Sequence, residues 1–186
     1  MNKPNLHWKS LEKRTIYKNP WVEIYSEDLE LPGEYILEDF VTIKFQNWAA
    51  VVALTKDMKV VMIKQYRHAI KGVYYELPCG IIDEGETNEQ GVLRELLEET
   101  GYGSKNKPEL LAKTCPSSSK INNWSYCYLL KEAEYMQPQV LDPSENIEVV
   151  LIELKELKKM IAQGLIIDSF MIANIYLALD KLNFSV

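Results

Sequence analysis

Short apolar runs recur along most of the chain, and they predict a protein built mainly from β-strands. Before residue 46, the runs WVEIYSEDLEL and EYILEDFVTIKF flank a predicted turn, Leu31-Pro32-Gly33-Glu34. From Trp48 the runs AAVVALT and KVVMIKQYR are more apolar and β-branched, which is typical of a buried hairpin. We therefore predict a small antiparallel sheet over residues 1–45 and a main domain over residues 46–186.

Later elements alternate between strands and a few helices. GVYYELP, ELLAKTC, WSYCYLLKEA and NIEVVLIEL are predicted strands, and a helix is predicted from about Thr87 to Thr100, with Gly101 as its stop. Two amphipathic helices follow: ELKELKKMIAQ, closed by Gly164, and SFMIANIYLALDKL, opened by Asp168 as an N-cap. The order predicts an α+β fold, a mixed central sheet flanked by helices and layered as an α/β/α sandwich.

Composition narrows the class of protein. Apolar residues make up 47% of the 186 residues, which is enough to bury a core. A formal net charge of -6 and a pI near 5.1 argue against non-specific nucleic-acid binding, because there is no basic surplus. We see no secretory signal and no apolar run of about eighteen residues, so we expect a cytoplasmic protein without a membrane anchor.

The densest chemical signal is the stretch GIIDEGETNEQGVLRELLEETGY, residues 80–102. It fits the spacing G-x5-E-x7-R-E-U-x-E-E-x-G-U, where U is apolar. Its fixed positions are Gly80, Glu86, Arg94, Glu95, Glu98, Glu99 and Gly101. Four carboxylates and one guanidinium on a loop and a helix indicate a site for a hard cation and for chemistry on phosphates.

The helix in this stretch is predicted to have one apolar and one acidic face. At about 100° per residue, the acidic face holds Glu95, Glu98 and Glu99. Glu95 and Glu99 are one turn apart and suit the same cation, with Mg²⁺ expected and Mn²⁺ as an alternative. Glu98 is expected to bind the metal directly or through water, and we assign it a catalytic role.

The remaining fixed residues are predicted to support this helix. Arg94 should point away from the acidic face and form a fork-like pair with Glu86. Gly80 and Gly85 should let the loop turn tightly, so that the backbone carbonyl of Cys79 is available as a further metal ligand.

The segment resembles the Nudix box and matches that signature at every fixed position. The resemblance implies a three-layer Nudix sandwich and hydrolysis of a nucleoside diphosphate linked to another moiety. Gln65-Tyr66-Arg67, the approach Glu76 to Gly80, and Pro116 resemble the ADP-ribose pyrophosphatase and nucleotide-sugar branch. In that branch the N-terminal piece crosses to a second subunit, which implies a homodimer.

We expect roles for two kinds of residue outside the box, a phosphate-binding arginine and a proton acceptor. Arg67 is a sensible clamp for a diphosphate, because a guanidinium offers paired donors to phosphate oxygens. The proton acceptor is expected on LDPSENIEVV, where Asp142, Glu145 and Glu148 are open candidates. Matching that stretch to the branch favours Glu145, as a catalytic base or an added ligand.

One departure leaves the substrate open. The branch commonly carries Ser-Pro-Gly and then an acid after the strand beyond the box, but this chain has the glycine-free, acid-free sequence CPSSSKINN over Cys115–Asn123. The leading hypothesis is Mg²⁺-dependent cleavage of a nucleoside diphosphate sugar such as ADP-ribose. The alternatives are another nucleotide, such as GDP-mannose, a dinucleotide or a coenzyme, and a non-catalytic nucleotide-sensing module.

Overall fold

The computed structural model describes residues 5–184, which form two compact units. Of the described residues, the first unit contains 5–46 together with Cys115–Asn123, and the second contains Asn47–Thr114 with 124–184. The linear division after residue 45 that we predicted does not place the loop Cys115–Asn123 with the N-terminal sheet.

Residues 5–184 contain twelve strands, three α-helices and two short 3-10 turns. The strands are β1 Lys9–Lys18, β2 Val22–Glu30, β3 Ile36–Phe45, β4 Trp48–Thr55, β5 Lys59–Arg67, β6 Gly72–Glu76, β7 Cys79–Ile81, β8 Tyr102–Gly103, β9 Glu109–Thr114, β10 Ile121–Asn122, β11 Ser125–Tyr135 and β12 Ile147–Glu153. The helices are α1 Asn88–Thr100, α2 Leu157–Ala162 and α3 Ser169–Lys181.

The first unit is a four-stranded sheet in the order β1-β2-β3-β10. Strands β1, β2 and β3 are antiparallel, as predicted, and the short β10 adds a parallel edge beside β3. The predicted turn between β2 and β3 is present, with both Gly33 and Glu34 at positive φ. Pairing of β10 with β3 explains why residues 115–123 group with a sheet that lies far away in the sequence.

The second unit is built on a mixed eight-stranded sheet. Its main order is β12-β5-β4-β11-β8, with β6 on β5, β7 on β4 and β9 on β11. The pairing of β4 with β11 is parallel, whereas β4 and β5 form the antiparallel hairpin that their apolar runs predicted.

Strand β4 is buried on both faces and separates two apolar clusters. Ala50, Val52 and Leu54 face one cluster, which includes Ile175 of α3. Ala49, Val51 and Ala53 face the other, which includes Val92 and Leu96 of α1. Burying each large apolar side chain contributes about 1.5–3 kcal/mol. Helices therefore cover both faces of this sheet, and the predicted α+β sandwich is confirmed.

The sequence pattern predicted the bounds of the last helix better than those of the helix before it. The predicted helix 153–163 is shorter, because a 3-10 turn occupies Leu154–Glu156 and α2 begins only at Leu157. Helix α3 begins after Asp168, whose carboxylate accepts hydrogen bonds from the backbone N–H groups of Phe170 and Met171, as an N-cap should. None of the helices within residues 5–184 has the length and apolar character needed to span a bilayer.

Candidate active site

Helix α1 has well-defined ends, and these determine where its acidic residues lie. At the N-terminus, the Thr87 hydroxyl accepts from the backbone N–H of Gln90, and the Gln90 side chain accepts from the backbone N–H of Thr87. This reciprocal capping box satisfies two backbone donors that the helix leaves free. At the C-terminus, Gly101 adopts φ 73°, as the predicted helix stop requires.

The loop before α1 is tied to the helix by the predicted pair of Glu86 with Arg94. Arg94 Nε donates to Glu86 Oε1 at 2.9 Å, and Nη2 donates to Oε2 at 3.0 Å. Nη2 also donates to the backbone oxygen of Ile81 at 2.9 Å. Hydrogen bonding from Arg94 lowers the pKa of Glu86, so this carboxylate is stabilised in its ionised form.

The prediction that Arg94 points away from the acidic face was wrong. Its Nη1 donates to Glu95 Oε1 at 2.8 Å and to Glu98 Oε2 at 3.1 Å. A guanidinium has five N–H donors in a planar fork, so one side chain can hold the loop and two neighbouring helix carboxylates together. Helical angles locate the Cβ atom but do not show how far such a long side chain reaches.

The three box glutamates of α1 are not equally exposed, a difference that the predicted acidic face does not specify. The side chain of Glu98 is 40% exposed and that of Glu95 is 15% exposed, whereas Glu99 is only 4% exposed. Glu99 is buried because its direction on the helix falls between Glu95 and the packed residue Val92.

Burial of the glutamates has an electrostatic consequence. Desolvation raises the pKa of Glu95. Desolvation also raises the pKa of Glu99 well above its ordinary value, and the negative charges of Glu95 and Glu145 raise it further. The backbone N–H of Cys79 partly opposes this shift, because it donates to Glu99 Oε2 at 2.9 Å. The surrounding protein groups therefore do not fully compensate the negative charge of this glutamate cluster.

Strand β7 lies directly against the buried Glu99 and the half-buried Glu95. A Cβ atom at Gly80 would be only 2.0 Å from Cδ of Glu95, so a side chain at this position would displace the Glu95 carboxylate. Gly85, at φ 90°, is the residue that makes the loop turn. Gly80 is therefore needed for close packing rather than for the tight turn predicted above. The ligand role of the Cys79 carbonyl stays a prediction.

Of the three candidate proton acceptors, Glu145 is close enough to influence the box glutamates electrostatically. Its charge raises the pKa of both Glu95 and Glu99. Its Oε2 accepts from the backbone N–H of Asp142 at 2.9 Å, within a tight turn. Asp142 itself is exposed, and Glu148 pairs with Lys64 at 3.3 Å.

Arg67 is held by a residue that sequence reasoning did not select. Its Nε donates to Oε1 of Glu76 at 2.7 Å, and Gln65 Nε2 donates to Oε2 of Glu76 at 3.2 Å. Glu76 is only 6% exposed. The Arg67 charge acts to lower the pKa of Glu99, so Arg67 also lies near the acidic cluster. The missed signal was a single acidic residue inside the otherwise apolar run GVYYELP.

The donor set fits a divalent cation of the hard, oxygen-preferring kind. Glu95, Glu98 and Glu99 offer carboxylate oxygens from about one and a half turns of helix. Within residues 5–184, no three acidic, histidine or cysteine side chains are grouped as a metal cage. Arg94 Nη1 bonds to one oxygen of Glu95 and to one oxygen of Glu98.

Comparisons with known proteins agree with this geometry. The family described as the NUDIX domain matches residues 45–169. An ADP-ribose pyrophosphatase of Bacillus subtilis (strain 168) is 29% identical over 167 residues, which are 89% of each chain. A methanol dehydrogenase activator of Bacillus methanolicus is 29% identical over 175 residues, 93% of this chain and 94% of that protein.

A solved structure supports the fold. It is described as an ADP compounds hydrolase and aligns with a TM-score of 0.83 over 98% of this chain and 97% of that chain, at 17% identity. Members of the matched family generally use divalent metal ions. With the box residues assembled on α1 and two thirds of the chain matched, the protein belongs to the Nudix family and is a pyrophosphohydrolase.

Proposed function

We propose that the protein hydrolyses the pyrophosphate bond of a nucleoside diphosphate sugar such as ADP-ribose, with Mg²⁺, to a nucleoside monophosphate and a sugar phosphate. The proposal depends on one observation, the cluster of Glu95, Glu98 and Glu99 with Glu145 nearby. The similarity to the Bacillus subtilis ADP-ribose pyrophosphatase over 89% of each chain supports this choice of substrate.

The cluster is suited to holding the cation that the reaction requires. Glu95, Glu98, Glu99 and the backbone carbonyl of Cys79 would hold it. When bound, a divalent cation screens the charge of the diphosphate and lowers the pKa of a water molecule. Arg94 bonds to one oxygen of Glu95 and one oxygen of Glu98, so the second oxygen of each carboxylate could bind the cation while Arg94 keeps its bonds to Glu86.

Glu145 and Arg67 have complementary roles in this scheme. Glu145 accepts a proton from the attacking water, whose oxygen forms a new bond to phosphorus as the bridging P–O bond breaks. The leaving phosphate departs with the electron pair of that bond. Glu76 uses only part of the Arg67 guanidinium, which has five N–H donors, so donors are left for a phosphate oxygen. Glu76 thereby orients Arg67.

The direct test is product release from a panel of ADP-ribose, GDP-mannose and UDP-glucose with Mg²⁺. We expect a nucleoside monophosphate and a sugar phosphate from ADP-ribose at a higher kcat/KM than from the others. Glu99→Gln should lower kcat by about two to three orders of magnitude, as expected when preorganised electrostatic stabilisation is lost.

Glu89→Gln is the matched control, because Glu89 lies in the first turn of the same helix. It should retain near-normal activity. No hydrolysis of any panel member by the folded, Mg²⁺-loaded protein would overturn the proposal. Faster cleavage of GDP-mannose than of ADP-ribose would change the proposed substrate to another nucleotide sugar.

We further propose that two copies associate through the N-terminal sheet. The first unit exposes large apolar side chains, among them Trp8 at 50%, Trp21 at 68% and Ile16 at 59%. A soluble protein rarely leaves so much apolar surface uncovered, so a partner surface is expected. Light scattering should give about twice the monomer mass of 21.5 kDa, and a mass near 21.5 kDa would contradict this.

A further inference from the structure

The C-terminal end of α1 is capped by a distant segment of the chain. The backbone N–H groups of Met136 and Gln137 donate to the oxygen of Gly101 at 2.8 and 3.2 Å. The N–H of Val140 donates to the backbone oxygen of Glu98 at 2.9 Å. We call Met136–Val140 the capping segment, because it supplies donors that the last helical turn lacks.

Gln139 contributes a side chain to this arrangement and connects it to a second element. Its Nε2 donates to the backbone oxygen of Glu99 at 2.6 Å and makes a longer contact of 3.4 Å with the backbone oxygen of Ile147. Glu99 and Ile147 are both buried. One amide group thus bridges the last turn of α1 and the first residue of β12.

Glu145 lies two residues before the β12 end of this bridge. Its turn is closed by bonds to Asp142, on the chain that links the capping segment to β12. The position of Glu145 relative to Glu99 is therefore set over a short path that runs through Gln139.

The bridge also acts on the charge of the site. The C-terminus of a helix carries partial negative charge on its free carbonyls, which opposes carboxylates located there. Glu98 and Glu99 lie in this turn. The backbone N–H of Val140 donates to the carbonyl of Glu98, and the side-chain amide of Gln139 donates to the carbonyl of Glu99. These donors offset part of the negative potential at the residues that must gather a cation.

We propose that Gln139 is a positioning residue for the hydrolysis: it fixes the last turn of α1, which carries Glu98 and Glu99, relative to the loop that carries Glu145. This rests on the proposed function, since Glu145 is the proton acceptor in that scheme. Gln139 acts through Glu99 and Glu145 and need not contact the substrate.

The test is a double-variant cycle with Gln139→Ala and Glu145→Gln at saturating Mg²⁺. Gln139→Ala should lower kcat about tenfold with little change in KM, because misplacement affects the reacting geometry more than substrate binding. In the Glu145→Gln background the same change should have almost no further effect on kcat. Gln137→Ala is the matched control, since Gln137 contacts α1 through its backbone.

A second measurement keeps the inference testable if no substrate is found. Hydrogen exchange followed by mass spectrometry should show faster exchange over residues 140–147 in Gln139→Ala than in wild type or Gln137→Ala. Unchanged hydrogen exchange in Gln139→Ala would show that Gln139 does not restrain residues 140–147. Multiplicative losses of kcat in the double variant would overturn the positioning role. An inactive wild type with the expected exchange pattern would instead count against the proposed function alone.

Discussion

Two parts of the Nudix box use glutamate in opposite ways. In the box loop, Asp83–Thr87, the carboxylate of Glu86 is paired with Arg94, and its pKa is lowered. In the last turn of α1, Leu97–Thr100, the carboxylate of Glu99 is buried, and its pKa is raised. The same residue type is stabilised as an anion in one place and destabilised as an anion in the other.

The difference separates structural from functional carboxylates. A paired carboxylate holds two segments together and is complete without a ligand. A buried carboxylate beside other carboxylates costs free energy until a cation arrives. At Glu99 the hydrogen bond from the backbone N–H of Cys79 to the carboxylate reduces this cost, while Gln139 and Val140 donate to the backbone carbonyls of Glu99 and Glu98.

The largest effect on stability is expected from Gly101→Ala. Gly101 has φ 73°, and an added Cβ would lie 2.0 Å from the backbone oxygen of Gln137. Left-handed strain and overpacking together should lower the free energy of unfolding by about 3 kcal/mol, measured by urea denaturation.

Gly85→Ala is the control for that prediction. Gly85 has φ 90°, but an added Cβ would have no atom within 4 Å beyond those of its two chain neighbours, so only the backbone strain applies. Gly85→Ala should lower the free energy of unfolding by about 1–2 kcal/mol. Equal losses for the two variants would show that the close approach of the capping segment does not matter.

A smaller effect is expected from Arg94→Met, which removes the link between the box loop and the last two turns of α1. Losing charged hydrogen bonds to Glu86, Glu95 and Glu98 should lower the free energy of unfolding by about 2 kcal/mol without added metal. Arg94→Lys keeps the charge but not the fork, so it should lose less. Mg²⁺ should reduce the loss, because it replaces the missing positive charge near Glu95. An unchanged loss with Mg²⁺ would contradict this.

The finest comparison is the pH dependence of stability in EDTA. Glu86 has a folded-state pKa below its ordinary 4.5, so its stabilisation is present above that pH and is lost as pH falls through the folded-state pKa. Glu99 has a raised pKa, so its contribution is complete below 4.5 and is lost as pH rises through the folded-state value.

Variants should separate these two terms. Relative to wild type, Glu86→Gln should be less stable at neutral pH, and the difference should shrink in acid. Glu99→Gln should gain stability as pH rises, although it loses activity. Chemical denaturation across the pH range would measure both, and parallel curves for wild type and Glu99→Gln would show that Glu99 carries no penalty.

Much of the fold and of the site was evident in the pattern of residues. The apolar runs located β4 and β5, the caps located α1 and α3, and the spacing of the box indicated its family. These features are local, since a strand, a cap or a helical spacing depends on residues close in the chain. The local pattern did not predict the contacts of the long Arg94 side chain with Glu95. It also did not predict the 3-10 turn that precedes α2.

The sequence by itself determined that Glu95, Glu98 and Glu99 share one helix beside a glycine-containing loop. Only the tertiary structure decided that Glu99 is buried, that Gly80 is needed for room beside Glu95, and that Gln139 bridges α1 and β12. The physical reason is that burial and close approach arise between segments distant in the chain, and no spacing along the sequence encodes them.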